Sequence, residues 1–264
     1  MKKALSLLTI CFCLFFLTSC KKITIINEVI NRYVNYEENI SILDFEDALV
    51  EASKIAQESV VGIKTESGGI LLSTSSFGSG VIIKQEELGI DQYKYYVITN
   101  RHVVLTDKGN ERSIYITLGA EDTYEATIIE YDNNIDIAFV SFVSPRKLSV
   151  AKVTTDNIEV GRFVISVGSP YDIDKYYNSV AVGNISHTNR IESEENLDGD
   201  KVDNIYIQHN AEVNSGNSGG GLFNIKGELI AINAWKISKE DVEGLAFAIP
   251  MHELYEKYNQ YFEK

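Results

Sequence analysis

The stretch Asn214-Ser215-Gly216-Asn217-Ser218-Gly219-Gly220 decides how this chain is read. A serine hydroxyl is a poor nucleophile until a neighbouring base takes its proton. Acyl chemistry also needs donors aimed at a developing oxyanion. Glycines around a serine permit a tight turn that points backbone N–H groups inward, because glycine alone accepts such φ/ψ values freely. Taken alone, the stretch fits a Gly/Ser loop without chemistry equally well, so its partners have to be sought elsewhere.

A base is available upstream in Val97-Ile98-Thr99-Asn100-Arg101-His102-Val103-Val104, where a histidine follows directly on an apolar run. Read alone, His102 is also compatible with a half-buried structural histidine. An acid lies between them in Asn134-Ile135-Asp136-Ile137-Ala138-Phe139-Val140. Asp136 has apolar neighbours at an expected strand start, and a buried carboxylate is costly unless something pairs with it. His102 is the candidate partner. Asp132, four residues earlier, suits a turn-capping role better.

Around these segments the chain is mostly β-rich. Val60–Thr65, Ile70–Ser73, Gly80–Lys84, Lys94–Thr99, Ser113–Leu118, Tyr124–Tyr131 and Asp136–Phe142 are rich in Val, Ile, Tyr and Thr, separated by Gly, Asp, Asn and Ser clusters. A charged, Pro-containing stretch from Ser144 to Glu159 interrupts. A second set follows: Arg162–Val167, Ser179–His187, Asn204–Gln208, Gly221–Phe223, Glu228–Trp235 and Gly244–Ile249. Two groups of about six strands predict two packed antiparallel barrels. The absence of strand–helix alternation excludes a doubly wound sheet. Apolar positions from Leu43 to Val60 follow a helical stripe. Met251 to Lys264 reads as one amphipathic helix with Leu254, Tyr258, Tyr261 and Phe262 on one side.

Several of these segments together resemble the trypsin/chymotrypsin superfamily, and most closely its HtrA/DegP-type branch. The resembling pieces are Gly78-Ser79-Gly80-Val81-Ile82-Ile83, Thr99-Asn100-Arg101-His102-Val103-Val104, Asp136-Ile137-Ala138, Gly216-Asn217-Ser218-Gly219-Gly220 and Phe247-Ala248-Ile249-Pro250. They come in the order His, Asp, Ser. The resemblance implies an all-β, chymotrypsin-like double six-stranded β-barrel, with an N-terminal helix, a short C-terminal helix and the site between the barrels. It implies a serine endopeptidase in which Ser218 attacks the carbonyl carbon, His102 shuttles the proton and Asp136 orients the imidazolium. The N–H groups of Gly216 and Ser218 would form the oxyanion hole. No cofactor is implied, the partners are protein or peptide substrates, and a homo-oligomer is compatible with the branch.

The resemblance also implies a substrate pocket lined by Glu212, Val213, Asn233, Ala234 and Trp235. A Glu212 at its base would favour Lys or Arg side chains; one turned to solvent would not. Departures from the family pattern are Gly221, where a proline is usual, and Arg101, where Asn or Ala is common. Neither is expected to take a catalytic role. Asn217 is a neutral amide and cannot pair with a new N-terminal amine, so no activation by N-terminal cleavage is expected. Fourteen residues follow Pro250, too few for a peptide-binding PDZ module.

The N-terminus reads as an address. Lys2 and Lys3 precede an apolar run from Ala4 to Leu17, too short and wrongly flanked for a membrane span. The run ends in Leu17-Thr18-Ser19-Cys20, which resembles a bacterial lipobox. Residues 1–19 are then a lipoprotein signal peptide. Lipidated Cys20 would begin a tether over 20–42, and the protease domain follows over 43–264. Within that domain, barrel one spans about 60–143 and barrel two about 158–250. Localisation is expected to be extracytoplasmic, lipid-anchored to a bacterial membrane. Cys11 and Cys13 would leave with the signal, which removes thiol and cysteine–zinc chemistry.

Composition narrows the field further. The 264 residues are 44% hydrophobic, enough for a sizeable core, and the formal net charge of −14 argues against a nucleic-acid partner. Asp198-Gly199-Asp200-Lys201-Val202-Asp203 lacks calcium-loop spacing. His187, His209 and His252 are isolated, so no metal is expected. An esterase elbow at Ser218 would need a following helix, which Gly219–Gly221 oppose. The remaining alternative is a catalytically silent protease-fold binding lipoprotein.

Overall fold

Short runs rich in Val, Ile and Tyr, bounded by polar turns, cannot bury both faces in a single flat sheet and are satisfied by closure into barrels. The computed structural model describes residues 42–262 apart from 70–71, 107–108, 111, 120–121, 157, 171–172 and 237–243. The expected signal, Cys20 and the expected tether up to residue 41 lie outside these residues.

Barrel one closes β1 (Val60–Gly69), β2 (Leu72–Gly89), β3 (Gln92–Thr99), β4 (Ser113–Thr117), β5 (Thr123–Tyr131) and β6 (Ala138–Ser144) in the order β1-β2-β3-β6-β5-β4. Barrel two repeats that pattern with β7 (Phe163–Gly168), β8 (Ser179–Glu195), β9 (Lys201–His209), β10 (Gly221–Phe223), β11 (Leu229–Lys236) and β12 (Ala246–Pro250), ordered β7-β8-β9-β12-β11-β10. Every barrel pairing is antiparallel. The expected all-β double six-stranded barrel is therefore what the chain forms.

Three elements differ from expectation. Of the expected strand Ile70–Ser73, residues 70–71 lie outside the described residues, and Leu72 and Ser73 open β2, which pairs with β1 as a long ribbon in which Ser67 faces Thr74, with their hydroxyls 3.0 Å apart. Its outer part, Thr65–Ser67 against Thr74–Ser76, is polar, so no apolar alternation marked it. Asp136 and Ile137 precede β6 instead of opening it. The C-terminal helix is short, Met251–Tyr255, and is followed by a single 3₁₀ turn, Asn259–Tyr261.

The chain enters through α1 (Ile42–Gln57), where Ala52 and Ala56 are buried. Its end is pinned by reciprocal amide bonds: Gln57 Nε2 donates to the Asn178 carbonyl at 2.7 Å, and Asn178 Nδ2 to the Gln57 carbonyl at 2.8 Å. Two apolar cores fill the barrel interiors, one around Ile63, Ile82 and Val97, the other around Val164, Ile207 and Ala231. A third lies between the barrels, where Val81, Ile98 and Phe139 meet Ile165, Val167, Phe223 and Ile232. The C-terminal segment seals this core, with Phe139 packed on Tyr258 and Tyr261 at ring separations of 4.9 and 4.3 Å. Each such fully buried large side chain contributes about 1.5–3 kcal/mol, so a few aromatic residues suffice to dock the tail.

Candidate active site

Beyond β3, Asn100 is extended and the chain then makes one helical turn, α2 (Arg101–Val104), closed by the Leu105 N–H on the Arg101 carbonyl. Val103 and Val104 point into barrel one. That burial turns His102 outward, half of its side chain exposed. Gly78 on β2 permits the approach, since a Cβ there would lie 2.6 Å from a methyl of Val103.

Asp136 sits in the turn between β5 and β6. Its Oδ2 lies 2.6 Å from His102 Nδ1, and its Oδ1 accepts the His102 backbone N–H at 2.9 Å. Asn100 Nδ2 donates to the Asp136 carbonyl at 2.8 Å. The carboxylate is largely shielded, 16% exposed. Both groups titrate away from their ordinary values. Burial alone would raise Asp136, but the charge and hydrogen bonds of His102, with Arg101 beyond, hold it low. Burial alone would lower His102, yet the Asp136 charge and hydrogen bond raise it, against opposing charges on Arg112 and Arg101.

Ser218 comes from barrel two, in the turn before β10. The Asn217 N–H donates to the Asn214 carbonyl and the Gly220 N–H to the Asn217 carbonyl, both at 2.9 Å. Gly216 and Gly219 adopt φ of +99° and +82°, the left-handed region that disfavours side chains. Ser79 holds this turn from barrel one. It is fully buried; its Oγ donates to the Gly216 carbonyl at 2.7 Å and its N–H to the Ser218 carbonyl at 2.8 Å. Ser79 Oγ also accepts the Ser169 N–H at 2.8 Å. The Ser79 carbonyl in turn accepts Thr99 Oγ1 at 2.7 Å, three residues before the histidine.

The structure thus brings His102, Asp136 and Ser218 to one inter-barrel seam. Ser218 Oγ donates to the Ala234 carbonyl at 3.0 Å, and among the described residues no hydrogen bond joins it to His102. The N–H groups of Gly216 and Ser218 engage no backbone carbonyl among the described residues, which leaves both free for an oxyanion. Of the expected pocket residues, Val213 and Ala234 are buried beside the serine turn, and Trp235 stacks on Phe247 at 4.1 Å. Asn233 is fully buried and its amide faces barrel two, donating to Ser166 Oγ at 3.0 Å and the Gly221 carbonyl at 3.1 Å. Glu212 is exposed and accepts Asn214 Nδ2 at 3.0 Å, the solvent-turned arrangement.

Two contributors escaped the sequence reading. Ser79 was part of a resembling motif, but nothing in the sequence revealed that its hydroxyl reaches across the barrels. Arg101 was set aside, yet its Nη1 donates to the carbonyls of Asp132 at 2.7 Å and Asn133 at 2.6 Å. Asp132 does cap the turn, accepting the N–H groups of Asn134 and Ile135. It also binds Lys257 and Tyr258 from the C-terminal segment.

The family described as Trypsin-like peptidase domain matches residues 78–232, more than half of the chain. The chain belongs to the trypsin-like peptidase family. Among curated relatives, this peptidase-family chain is 32% identical over 191 residues to Serine protease HTRA4 of Mus musculus, covering 72% of the chain and 35% of the relative. It is 36% identical over 181 residues to Serine protease Do-like HtrA of Bacillus subtilis (strain 168), covering 68% and 38%. It is 35% identical over 178 residues to a probable periplasmic serine endoprotease DegP-like of Buchnera aphidicola subsp. Schizaphis graminum, covering 66% and 33%. The chain spans about a third of the length of these relatives. A solved HtrA-type protease with a tripeptide superposes with a TM-score of 0.64 at 26% identity, covering 81% of this chain and 64% of that one. These relatives and the solved structure carry HtrA- or DegP-type protease names.

Proposed function

We propose that this trypsin-like peptidase is an active serine endopeptidase with His102, Asp136 and Ser218 as its triad. The observation that carries the reading is the His102–Asp136 pair, joined by two hydrogen bonds, beside a serine turn with two unengaged N–H groups. Asp136 fixes the tautomer that leaves His102 Nε2 to act as base. For turnover, Ser218 Oγ exchanges its bond to Ala234 for one to His102 Nε2 and attacks the peptide carbonyl. The N–H groups of Gly216 and Ser218 take the oxyanion, His102 delivers the proton to the leaving amine, and water releases the acyl group by the same route. The substrates are proteins or peptides. With Glu212 turned to solvent and Val213 and Ala234 buried, no preference for Lys or Arg side chains is expected.

We further propose that Cys20 is lipidated and that the domain acts on the extracytoplasmic face of a bacterial membrane. Support comes from Leu17-Thr18-Ser19-Cys20 and from the periplasmic naming of one relative. No helix among the described residues is long and apolar enough to cross a membrane. Incorporation of a labelled fatty acid into the full chain, lost in Cys20→Ala, tests this.

One observation favours a second reading, the silent binding lipoprotein: the Ser218 hydroxyl bonds to Ala234 and not to the base. Fluorophosphonate labelling separates the two. Labelling with casein hydrolysis, both lost in Ser218→Ala, establishes the peptidase. A folded protein that never labels is the silent form.

A further inference from the structure

On the peptidase reading above, we propose that Arg101 is a positioning residue that locks the turn carrying the triad's acid against the helix carrying its base. Three consecutive residues of one segment grip the turn Asp132–Asp136. Asn100 holds the Asp136 carbonyl, His102 holds the Asp136 carboxylate, and Arg101 holds the carbonyls of Asp132 and Asn133, with that of Ile135 at 3.5 Å. Among the described residues no other donor reaches the Asp132 or Asn133 carbonyl. α2 has four residues and no side-chain bond at its N-cap. A helix of one turn has little rigidity of its own, so cross-links to the turn set the distance between base and acid.

The remaining anchors of the turn come from other directions. The β8–β9 hairpin supplies Asn196, whose Nδ2 donates to Asn134 Oδ1 at 3.0 Å, and Asn204, whose Nδ2 donates to the Asn134 carbonyl at 2.9 Å. Asp198 of the same hairpin accepts Asn133 Nδ2 at 2.8 Å. From the C-terminal segment, Lys257 and Tyr258 hold the Asp132 carboxylate. These anchors tie the turn to barrel two and the tail. Arg101 is the anchor that ties the first half of the turn, from the histidine's side, to α2.

The charge of Arg101 works against this service. The charged groups facing His102 are Asp136, Arg101 and Arg112, and the two arginines oppose the imidazolium that must form. A purely electrostatic Arg101 would hinder the base; a guanidinium that bridges two carbonyls explains its presence. Both carbonyls are held by the single nitrogen Nη1. Lysine keeps the charge, but its stem is one atom shorter and lacks the rigid planar end, so its ammonium does not reach both carbonyls without a shift of α2 or the turn.

The test is the rate of fluorophosphonate labelling against pH for wild type, Arg101→Lys and Arg101→Met. Positioning predicts rates falling in that order, by about 10- to 100-fold overall, with the midpoint of the acid limb falling in the same order as His102 loosens from Asp136. A charge-only role predicts the opposite: Arg101→Lys like wild type, and Arg101→Met with an acid limb above that of wild type. Either result overturns the inference. Should Arg101→Met fail to fold, Arg101→Lys alone decides. An active wild type with an unaltered Arg101→Lys overturns the inference and leaves the peptidase standing; a wild type that never labels overturns both.

Discussion

Alanine at Gly219 tests whether the serine turn depends on backbone contact across the barrels. At φ +82°, a Cβ at this position would lie 2.2 Å from the Ser79 carbonyl oxygen and from Thr99 Oγ1, and 3.0 Å from the Asn100 nitrogen. Gly199, at the tip of the β8–β9 hairpin, has nearly the same φ of +84° and nothing within 4 Å. Alanine at either site adopts a left-handed conformation, which costs about 1–2 kcal/mol. At Gly219 overpacking adds about 1–3 kcal/mol. Displacing Thr99 from Ser79 adds roughly 1 kcal/mol more. The two variants should therefore differ by roughly 2–4 kcal/mol, on the order of 5–15 °C in Tm for a domain of this size. Urea unfolding with parallel fluorophosphonate labelling measures both consequences, because Ser79 holds the Ser218 carbonyl through its N–H and Thr99 leads directly into the histidine segment. Equal destabilisation of the two variants, or wild-type labelling in Gly219→Ala, would refute the reasoning.

Three further outcomes are expected. Ser79→Ala strands the Gly216 carbonyl and the Ser169 N–H, so it should cost about 2–4 kcal/mol in urea unfolding and slow labelling; a neutral change would mean that water replaces the hydroxyl. The acid limb of the labelling rate should lie above the ordinary histidine value of about 6.5, because Asp136 holds His102 up. Asp136→Asn should move that limb down and slow labelling on the order of 10³–10⁴-fold; an unmoved limb would detach Asp136 from the base. The same pair stabilises the fold most below the ordinary histidine value, and that contribution fades as pH rises through the raised one. His209 behaves oppositely. Burial pulls its pKa down to about 4, against weaker opposition from Ala211 and Asn233, so the unfolded chain binds the extra proton. Its stabilising contribution is complete above the unfolded value and should fall by roughly 3 kcal/mol between pH 6.5 and 4. Unfolding curves across that range should flatten in His209→Leu, and an identical slope would show that another group carries the dependence.

The parts of this protein legible in its sequence are those fixed by local chemistry. Alternating apolar residues between polar turns give strands wherever one face is buried, so the two barrels were readable. The outer part of the β1–β2 ribbon, Thr65–Ser67 against Thr74–Ser76, and the outer half of β8 were not, because their residues are mostly polar. The Gly-rich serine turn, the histidine after an apolar run and the acid among apolar neighbours were readable because each residue type is costly or unusual where it stands. What chain order could not convey was contact between remote residues. Ser79 reaches Gly216 across 137 positions, and Lys257 reaches Asp132 across 125. The tail is a short helix and a single 3₁₀ turn, not one continuous helix, and in that form Tyr258 meets both Phe139 and Asp132. Arg101 looked like a neutral departure because its acceptors are backbone carbonyls, which carry no sequence signature. Side-chain type and local periodicity determine which segments form strands and which residues carry chemistry. Only closure of the barrels decides which backbone groups are left for a distant side chain to hold, and so how firmly base, acid and nucleophile are kept in register.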